Sequence, residues 1–216
     1  MSGSNKRLYA LGLIMAITGL VPVSGHAEEP LNYNVFKDGE PIGFETVTFT
    51  ESLDGLAVDV TTQTDVRVLF LTFQYHHKRR EIWRDGNLVS VSTETSDDGT
   101  PYAFLAEYDG DCYELAGQNT PRREACNGAW PLTLWSEQVT TKDHLYSVID
   151  ATPHTVRIDK TENGTLTLGD ETYPARHYIM SGDVSRDLWY GEDGKLLKTS
   201  FKRKGYDIDF IRVDQP

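Results

Sequence analysis

The stretch that decides the fold is a strand, a two-residue turn and a second strand: REIWRDGNLVSVSTE, residues 80–94. Asp85-Gly86 stands between two runs rich in aliphatic, aromatic and β-branched residues. Asp-Gly favours a tight hairpin because both turn residues take positive φ, and an aromatic residue before such a turn packs across the sheet. A second phrase, RDLWYGEDGKLLKTS at 186–200, repeats the order of Trp, Asp-Gly and a β-forming run. The two phrases indicate one type of hairpin used twice; a repeated functional site is the alternative.

The same hairpin pattern extends over most of the chain. Further Asp-Gly pairs at 38–39, 98–99 and 109–110 separate runs of alternating or β-forming residues. The stretch 56–83 contains no Gly or Pro and exceeds the usual strand length of about five or six residues. It is therefore predicted to be two strands, or one strand bent near 62–65. Within it, apolar residues fall on both strand faces from Leu69 to Leu71, which indicates a sheet covered on both sides.

One segment, PLTLWSEQVTTKDHLYSVI at 131–149, has some helical spacing. Leu132, Trp135 and Val139 would share an apolar side, and Pro131 suits a first helical turn. The sequence therefore predicts a mainly β fold: a curved antiparallel sheet of hairpins, an open half-barrel, covered by one short helical segment.

The N-terminus has the layout of a secretory signal peptide. Two basic residues at 6–7 precede an apolar run at 8–23, and small residues precede a cleavage site after Ala27. The apolar run is short for a membrane span, which needs about 20 residues. We predict a signal peptide over 1–27, a single β-rich domain over 28–216, and no transmembrane segment after cleavage.

The charge of the chain is strongly acidic. Without its two N-terminal basic residues it carries 19 basic and 33 acidic residues, a net charge of −14. Such a field repels nucleic acid and anionic membrane surfaces, so we predict no nucleic-acid partner. The acidity suits solubility in an extracytoplasmic space.

Cys112 and Cys126 are the two cysteines of the chain. An even number of cysteines in an exported protein indicates a disulfide. The loop it closes would contribute about 3 kcal/mol of stability in the loop-entropy account. A cysteine metal site would need further ligands nearby, and no nucleophilic cysteine setting is present.

The most inviting polar cluster follows His76-His77. On a strand His76 points to one side of the sheet, and four residues point to the other: His77, Arg79, Glu81 and Trp83. Because His77 and Glu81 would lie about 13 Å apart along the strand, they cannot share a metal ion. The pattern is typical of a polar strand end, and we predict no metal and no cofactor. The sequence also lacks a nucleophile elbow, a Walker loop and a dinucleotide fingerprint.

Four segments, in this order, resemble a family of exported bacterial proteins whose domain has no assigned function. They are NVFKDGEPIG at 34–43, EIWRDGNL at 81–88, PLTLW at 131–135 and DLWY at 187–190. The resemblance covers about 31–213. The family is itself more distantly similar to the lipoprotein carriers LolA and LolB. It implies a curved antiparallel sheet wrapped over a helix and location in a Gram-negative periplasm. It supplies no catalytic residues.

These observations predict a periplasmic, non-catalytic binding protein for a lipid or other hydrophobic small molecule, acting as a monomer. The predicted groove residues are Phe70, Phe73, Trp83, Trp135, Trp189 and Tyr190. Two alternatives remain open. One is an enzyme acting on an envelope small molecule through His77, Arg79 and Glu81; the other is a module that binds an envelope protein through a free sheet edge.

Overall fold

The computed structural model describes residues 28–52, 55–68, 71–161 and 163–213, except for the side chains of residues 67, 68 and 71. The predicted signal peptide and Phe70 lie outside the described residues, as does the doubly apolar stretch that begins at Leu69.

Sixteen strands of the described chain form a curved sheet that is nearly closed into a barrel, as predicted from the hairpin pattern. The strands are β1 (Leu31–Lys37), β2 (Glu40–Ser52), β3 (Gly55–Val68), β4 (Leu71–Arg84), β5 (Asn87–Asp97), β6 (Thr100–Tyr108), β7 (Tyr113–Gln118), β8 (Thr120–Ala125), β9 (Trp130–Pro131), β10 (His144–Tyr146), β11 (Pro153–Lys160), β12 (Gly164–Leu168), β13 (Glu171–Gly182), β14 (Arg186–Tyr190), β15 (Leu196–Arg203) and β16 (Tyr206–Val213). In these residues no helix has the length and apolar character needed to cross a membrane.

The sheet follows chain order with one long-range pairing. From one edge the strands run β8 to β1 in reverse chain order, then β16, β15, β14, β13, β11, β10 and β9; β12 pairs only with β13. The β1–β16 pairing joins the two ends of the domain, from Asn32 opposite Val213 to Lys37 opposite Ile208. Neighbouring strands are antiparallel, apart from the short parallel pair β9 and β10.

Most of the predicted turns have the expected backbone. Both residues of the Asp-Gly pairs at 38–39, 85–86 and 98–99 take positive φ, as hairpin turns of the primed type require. At 109–110 the glycine alone does so, because the carboxylate of Asp109 instead accepts hydrogen bonds from the backbone N–H groups of the next turn. Local turn chemistry therefore positions three of the predicted hairpins directly.

The stretch 56–83 is two strands, but the predicted bend near 62–65 is wrong. β3 continues unbroken to Val68 and pairs along its length with β4, from Leu56 opposite Trp83 to Val68 opposite Leu71. Residues 62–65 stay extended because they pair with β4 on one side and, up to Thr64, with β2 on the other.

The short helical segment is a 3₁₀ helix over Glu137–Thr141, and the flanking residues of 131–149 are extended or turn. Ser136 caps it by accepting the backbone N–H of Gln138. The hydroxyls of Thr140 and Thr141 bond to backbone carbonyls of the preceding turn, which competes with regular helix. The segment thus covers the interior mainly as extended chain.

The predicted disulfide is present. Cys112 lies just before β7 and Cys126 just after β8, and their sulfur atoms are bonded. The bond therefore closes the base of the edge hairpin.

Candidate functional site: an internal cavity

The side chains on the inner face of β4 pass in turn through three regions of the barrel interior. Its alternate residues run from a hollow end, through a polar layer, to an aromatic, filled end: Phe73, Tyr75, His77, Arg79, Glu81 and Trp83. Phe73 and Tyr75 at the hollow end are partly exposed, and the remaining four are buried. One strand thus positions the three layers.

Aromatic side chains fill one end of the barrel. The rings of Trp83 and Trp135 lie edge to face at 5.7 Å between centroids. Trp130 contacts Trp83 at 5.3 Å, and Phe49 contacts Trp135 at the same distance. Such edge-to-face packing makes this end of the barrel a close-packed core.

A hydrogen-bonded polar layer lies next to the aromatic end. Arg79 donates from Nε to Glu81 at 2.8 Å and from a terminal nitrogen to the hydroxyl of Thr133 at 2.8 Å. The second oxygen of Glu81 accepts the indole N–H groups of Trp83 at 3.1 Å and Trp135 at 2.9 Å. Glu81 is fully buried, and its pairing with Arg79 compensates for that burial.

His77 extends this layer towards the hollow end. Its Nε2 lies 3.3 Å from an Arg79 nitrogen, and its Nδ1 lies 2.8 Å from the Thr95 hydroxyl. Because a guanidinium only donates, Nε2 carries the lone pair and Nδ1–H donates to Thr95. Burial, with the charge of Arg79, lowers the pKa of His77 to about 3, so the ring is neutral at ordinary pH. Both ring nitrogens are engaged within the layer.

The hollow end of the barrel is a cavity of about 450 Å³. That volume lies within the range of small-molecule pockets, about 300–1,000 Å³. Its walls are mostly apolar and come from strands on both sides of the β1–β16 junction: Ile42, Val66, Phe73, Phe201, Ile208 and Phe210. The extended segment adds Leu132 and Leu134, and the loop after β10 adds Val148 and Ile149.

Three further polar side chains lie in the cavity wall, and one of them, Glu45, is joined to the strand of His77 through Thr62. Glu45 accepts the hydroxyl of Thr62 at 2.7 Å, and burial raises the pKa of Glu45 against the attraction of nearby Arg79 and Arg186. On the neighbouring wall Arg186 and Thr199 project from β14 and β15. The Thr199 hydroxyl and the Nε of Arg186 are buried and have no hydrogen-bond partner among the described residues.

Arg186 keeps its charge in this setting. Burial lowers its pKa to about 10, which still leaves the guanidinium protonated at neutral pH. Its guanidinium carbon lies 3.8 Å from the centroid of the Phe201 ring, in cation–π contact. No ion pair of Arg186 is found within the described residues. A charged donor therefore faces a mostly apolar cavity; the carboxyl of Glu45 attracts it but forms no ion pair with it.

Ion pairs cross the opening of the cavity. Arg203 and Lys204, at the tip of the β15–β16 hairpin, bond to Asp97 at 2.6 Å and Asp98 at 2.7 Å on the β5–β6 hairpin. All four side chains also line the cavity. The hairpins are over 100 residues apart in sequence, so the pairs connect two distant parts of the barrel rim.

The predicted groove residues fall into different places. Phe73 lines the cavity, whereas Trp83 and Trp135 belong to the filled aromatic end. Tyr190 is fully buried and donates its hydroxyl to the Leu134 carbonyl. Trp189 lies on the opposite strand face from Tyr190 and stacks on His177 at 4.5 Å. Phe70 lies outside the described residues.

This placement separates the two Trp-containing phrases. Each leads from a strand into a turn and back, which agrees with the hairpin interpretation. Trp83 faces the interior and Trp189 faces outward, so the phrases do not form two copies of one site.

No cluster of three His, Cys, Asp or Glu side chains suited to a metal ion occurs in the part of the chain that the structure describes. Glu45, Arg186 and Thr199 were not among the site residues predicted from the sequence. Strand alternation in RDLWY gives a partial signal, because it places Arg186 on the face of the apolar Leu188.

Comparisons with known proteins concern the fold and not the cavity. A family model described as a domain of unknown function (DUF6134) matches residues 33–213. A solved structure, the beta-barrel-like protein of domain of unknown function DUF1849 from Brucella abortus, is similar with a TM-score of 0.59 at 8% sequence identity. The match covers 86% of this chain and 95% of that chain. No curated protein matches. The similarity to LolA and LolB and the export to a Gram-negative periplasm remain predictions.

Proposed function

The chain belongs to the DUF6134 family, whose description assigns no function, and from its internal cavity we propose that it is a periplasmic, non-catalytic binding protein for a lipid or other hydrophobic small molecule. The observation that carries the proposal is the apolar cavity at the hollow end of the barrel. Pockets of this size with mostly apolar walls and few polar groups are typical of small-molecule sites.

The layered interior supports binding rather than mere underpacking. Protein cores are ordinarily close-packed, and empty volume lowers stability by lost contacts. Here the aromatic end is filled, and the volume is concentrated beside Phe73, Phe201 and Phe210. The disulfide suits an oxidising compartment, which agrees with the proposed periplasmic location. The protein is proposed to act as a monomer.

A cavity-filling substitution tests the proposal. Thr64 lines the cavity, whereas Thr61 on the same strand is exposed on the outer face. N-phenyl-naphthylamine, a neutral apolar dye, is expected to fluoresce strongly on binding to the wild type. Thr64→Trp should abolish that increase, and the control Thr61→Trp should retain it. A wild type that binds neither the dye nor medium-chain alcohols at micromolar concentration would contradict the proposal.

A further inference from the structure

The cavity contains two buried donors without partners. The Nε of Arg186 and the hydroxyl of Thr199 lack a hydrogen bond within the described residues. Buried polar groups in folded proteins are nearly always hydrogen-bonded, because leaving one unsatisfied lowers stability. Of the six buried side-chain atoms without a partner in the described residues, these two line the same space.

The two donors lie close together on one wall. Thr199 pairs with Leu188 across β14 and β15, and Arg186 is two residues before Leu188 on the same strand face. Diagonal neighbours of this kind are about 7–8 Å apart at Cα, so a long arginine side chain reaches the same region as the hydroxyl. The Phe201 ring beneath the guanidinium restricts its orientation.

The charge at this wall is positive and uncompensated by contact. Arg79 is paired with Glu81, and Arg203 is paired with Asp97 at the opening. Glu45 is the carboxyl that could pair with Arg186, but its bond in the structure is to Thr62. The Nε of this guanidinium is buried without an anion in contact, which is costly, and a bound anion would remove that cost.

From this arrangement we infer that the ligand is an anionic amphiphile: its carboxylate head binds Arg186 and Thr199, and its apolar chain lies along the phenylalanine-lined wall. The inference rests on the proposed binding function and names its ligand class. Guanidinium and carboxylate form strong charge-assisted hydrogen bonds, and the hydroxyl supplies a further donor to the same oxygens. The Arg203–Asp97 pair lies at the rim of the cavity, and both residues line it.

The test compares ligands that differ only in the head group. Decanoate and decanol displace bound N-phenyl-naphthylamine from the wild type at pH 8, where a carboxylate is ionised. We expect decanoate to bind about ten- to hundred-fold more tightly than decanol, because hydrogen bonds to a charged group increase affinity by about that factor. Decyltrimethylammonium, with the opposite charge, should bind more weakly than decanol.

Variants of Arg186 and Thr199 test whether these two residues cause the preference for decanoate. Arg186→Met should reduce decanoate affinity to that of decanol and leave decanol and dye binding unchanged. Arg186→Lys should keep most of the preference for decanoate over decanol, and Thr199→Val should bind decanoate a few-fold less tightly. Arg157→Met removes the same charge from an exposed residue on β11 and should change nothing. Retained dye binding by each variant shows that the barrel is folded.

The outcomes separate the two proposals. Equal binding of decanoate and decanol to the wild type, or an unchanged preference in Arg186→Met, would overturn the anionic-ligand inference and leave apolar binding intact. Failure of the dye and of all three amphiphiles to bind the wild type would overturn both.

Discussion

The indole N–H of Trp135 donates a hydrogen bond of 2.9 Å to Oε2 of Glu81, across 54 positions of sequence. This bond fixes the extended 131–136 segment to the inner face of β4. Trp83 donates to the same oxygen and Arg79 to the other, so the buried carboxylate has three donors. The segment and the sheet are thus joined through one acidic side chain.

Glu81→Gln is therefore expected to destabilise the fold. The amide keeps the volume but leaves Arg79 buried without an anion, and breaking a buried ion pair typically costs about 3–5 kcal/mol. Urea denaturation at pH 7 measures the free energy of unfolding. Glu94→Gln, exposed on β5, is the matched control and should change it by less than about 0.5 kcal/mol. Equal stability of the two variants would show that the polar layer contributes little.

The hairpin chemistry made much of the sheet predictable. Asp-Gly at 38–39, 85–86 and 98–99 demands a local backbone that only a few residue pairs adopt, so sequence and structure agree there. The division of 56–83 was misplaced because the residues between Val68 and Leu71 carry none of the usual turn residues. The sequence therefore predicts a turn only where the turn requires particular residue types, such as Asp-Gly.

The polar layer was predictable in part. Period-two alternation places His77, Arg79 and Glu81 on one face of β4, but it does not say which face is buried. Lys78 and Arg80 make the other face equally charged. Which face of β4 points into the barrel depends on partners distant in sequence, among them Thr133 and Trp135. The cavity was less predictable still, because its volume depends on side chains from many strands at once.

Stability should fall in acid because of His77. Its folded-state pKa is lowered to about 3 from an ordinary value near 6.5, with burial as the main cause. Between these values the unfolded chain binds a proton that the folded chain does not, so stability falls as pH decreases; above pH 6.5 this residue contributes no pH dependence. The slope is about 1.4 kcal/mol per pH unit at most.

His77→Gln tests this assignment, since its amide supplies one donor and one acceptor for Thr95 and Arg79. Denaturation between pH 6.5 and 4 should show a shallower decline than in the wild type. The control His144→Gln, at an exposed position, should keep the wild-type slope. Parallel curves for His77→Gln and the wild type would assign the acid sensitivity to other groups.

The disulfide should contribute to stability through the closed edge hairpin. Replacing Cys112 and Cys126 together with Ser removes a cross-link between residues 14 positions apart. The expected loss is about 3 kcal/mol in urea denaturation without reductant. Dithiothreitol should lower the wild type to the level of the double variant and leave that variant unchanged. A wild type insensitive to reductant despite full reduction would contradict this.

The ion pairs across the cavity mouth are expected to control ligand exchange more than stability. Lys204 bonds to Asp98 between two hairpins, whereas exposed Lys202 bonds to Asp207 within one hairpin. Lys204→Ala should increase the dissociation rate of bound N-phenyl-naphthylamine several-fold in stopped-flow measurements. Because exposed ion pairs contribute only about 0–1 kcal/mol, the free energy of unfolding should change little.

Lys202→Ala is the control for this effect, since it removes the same charge from the same hairpin without opening the pair across the mouth. Its dissociation rate should match the wild type. High salt, which screens partly exposed pairs, should speed release from the wild type and have less effect on Lys204→Ala. If both alanine variants release the dye at the wild-type rate, the ligand leaves by another route than the opening between the β5–β6 and β15–β16 hairpins.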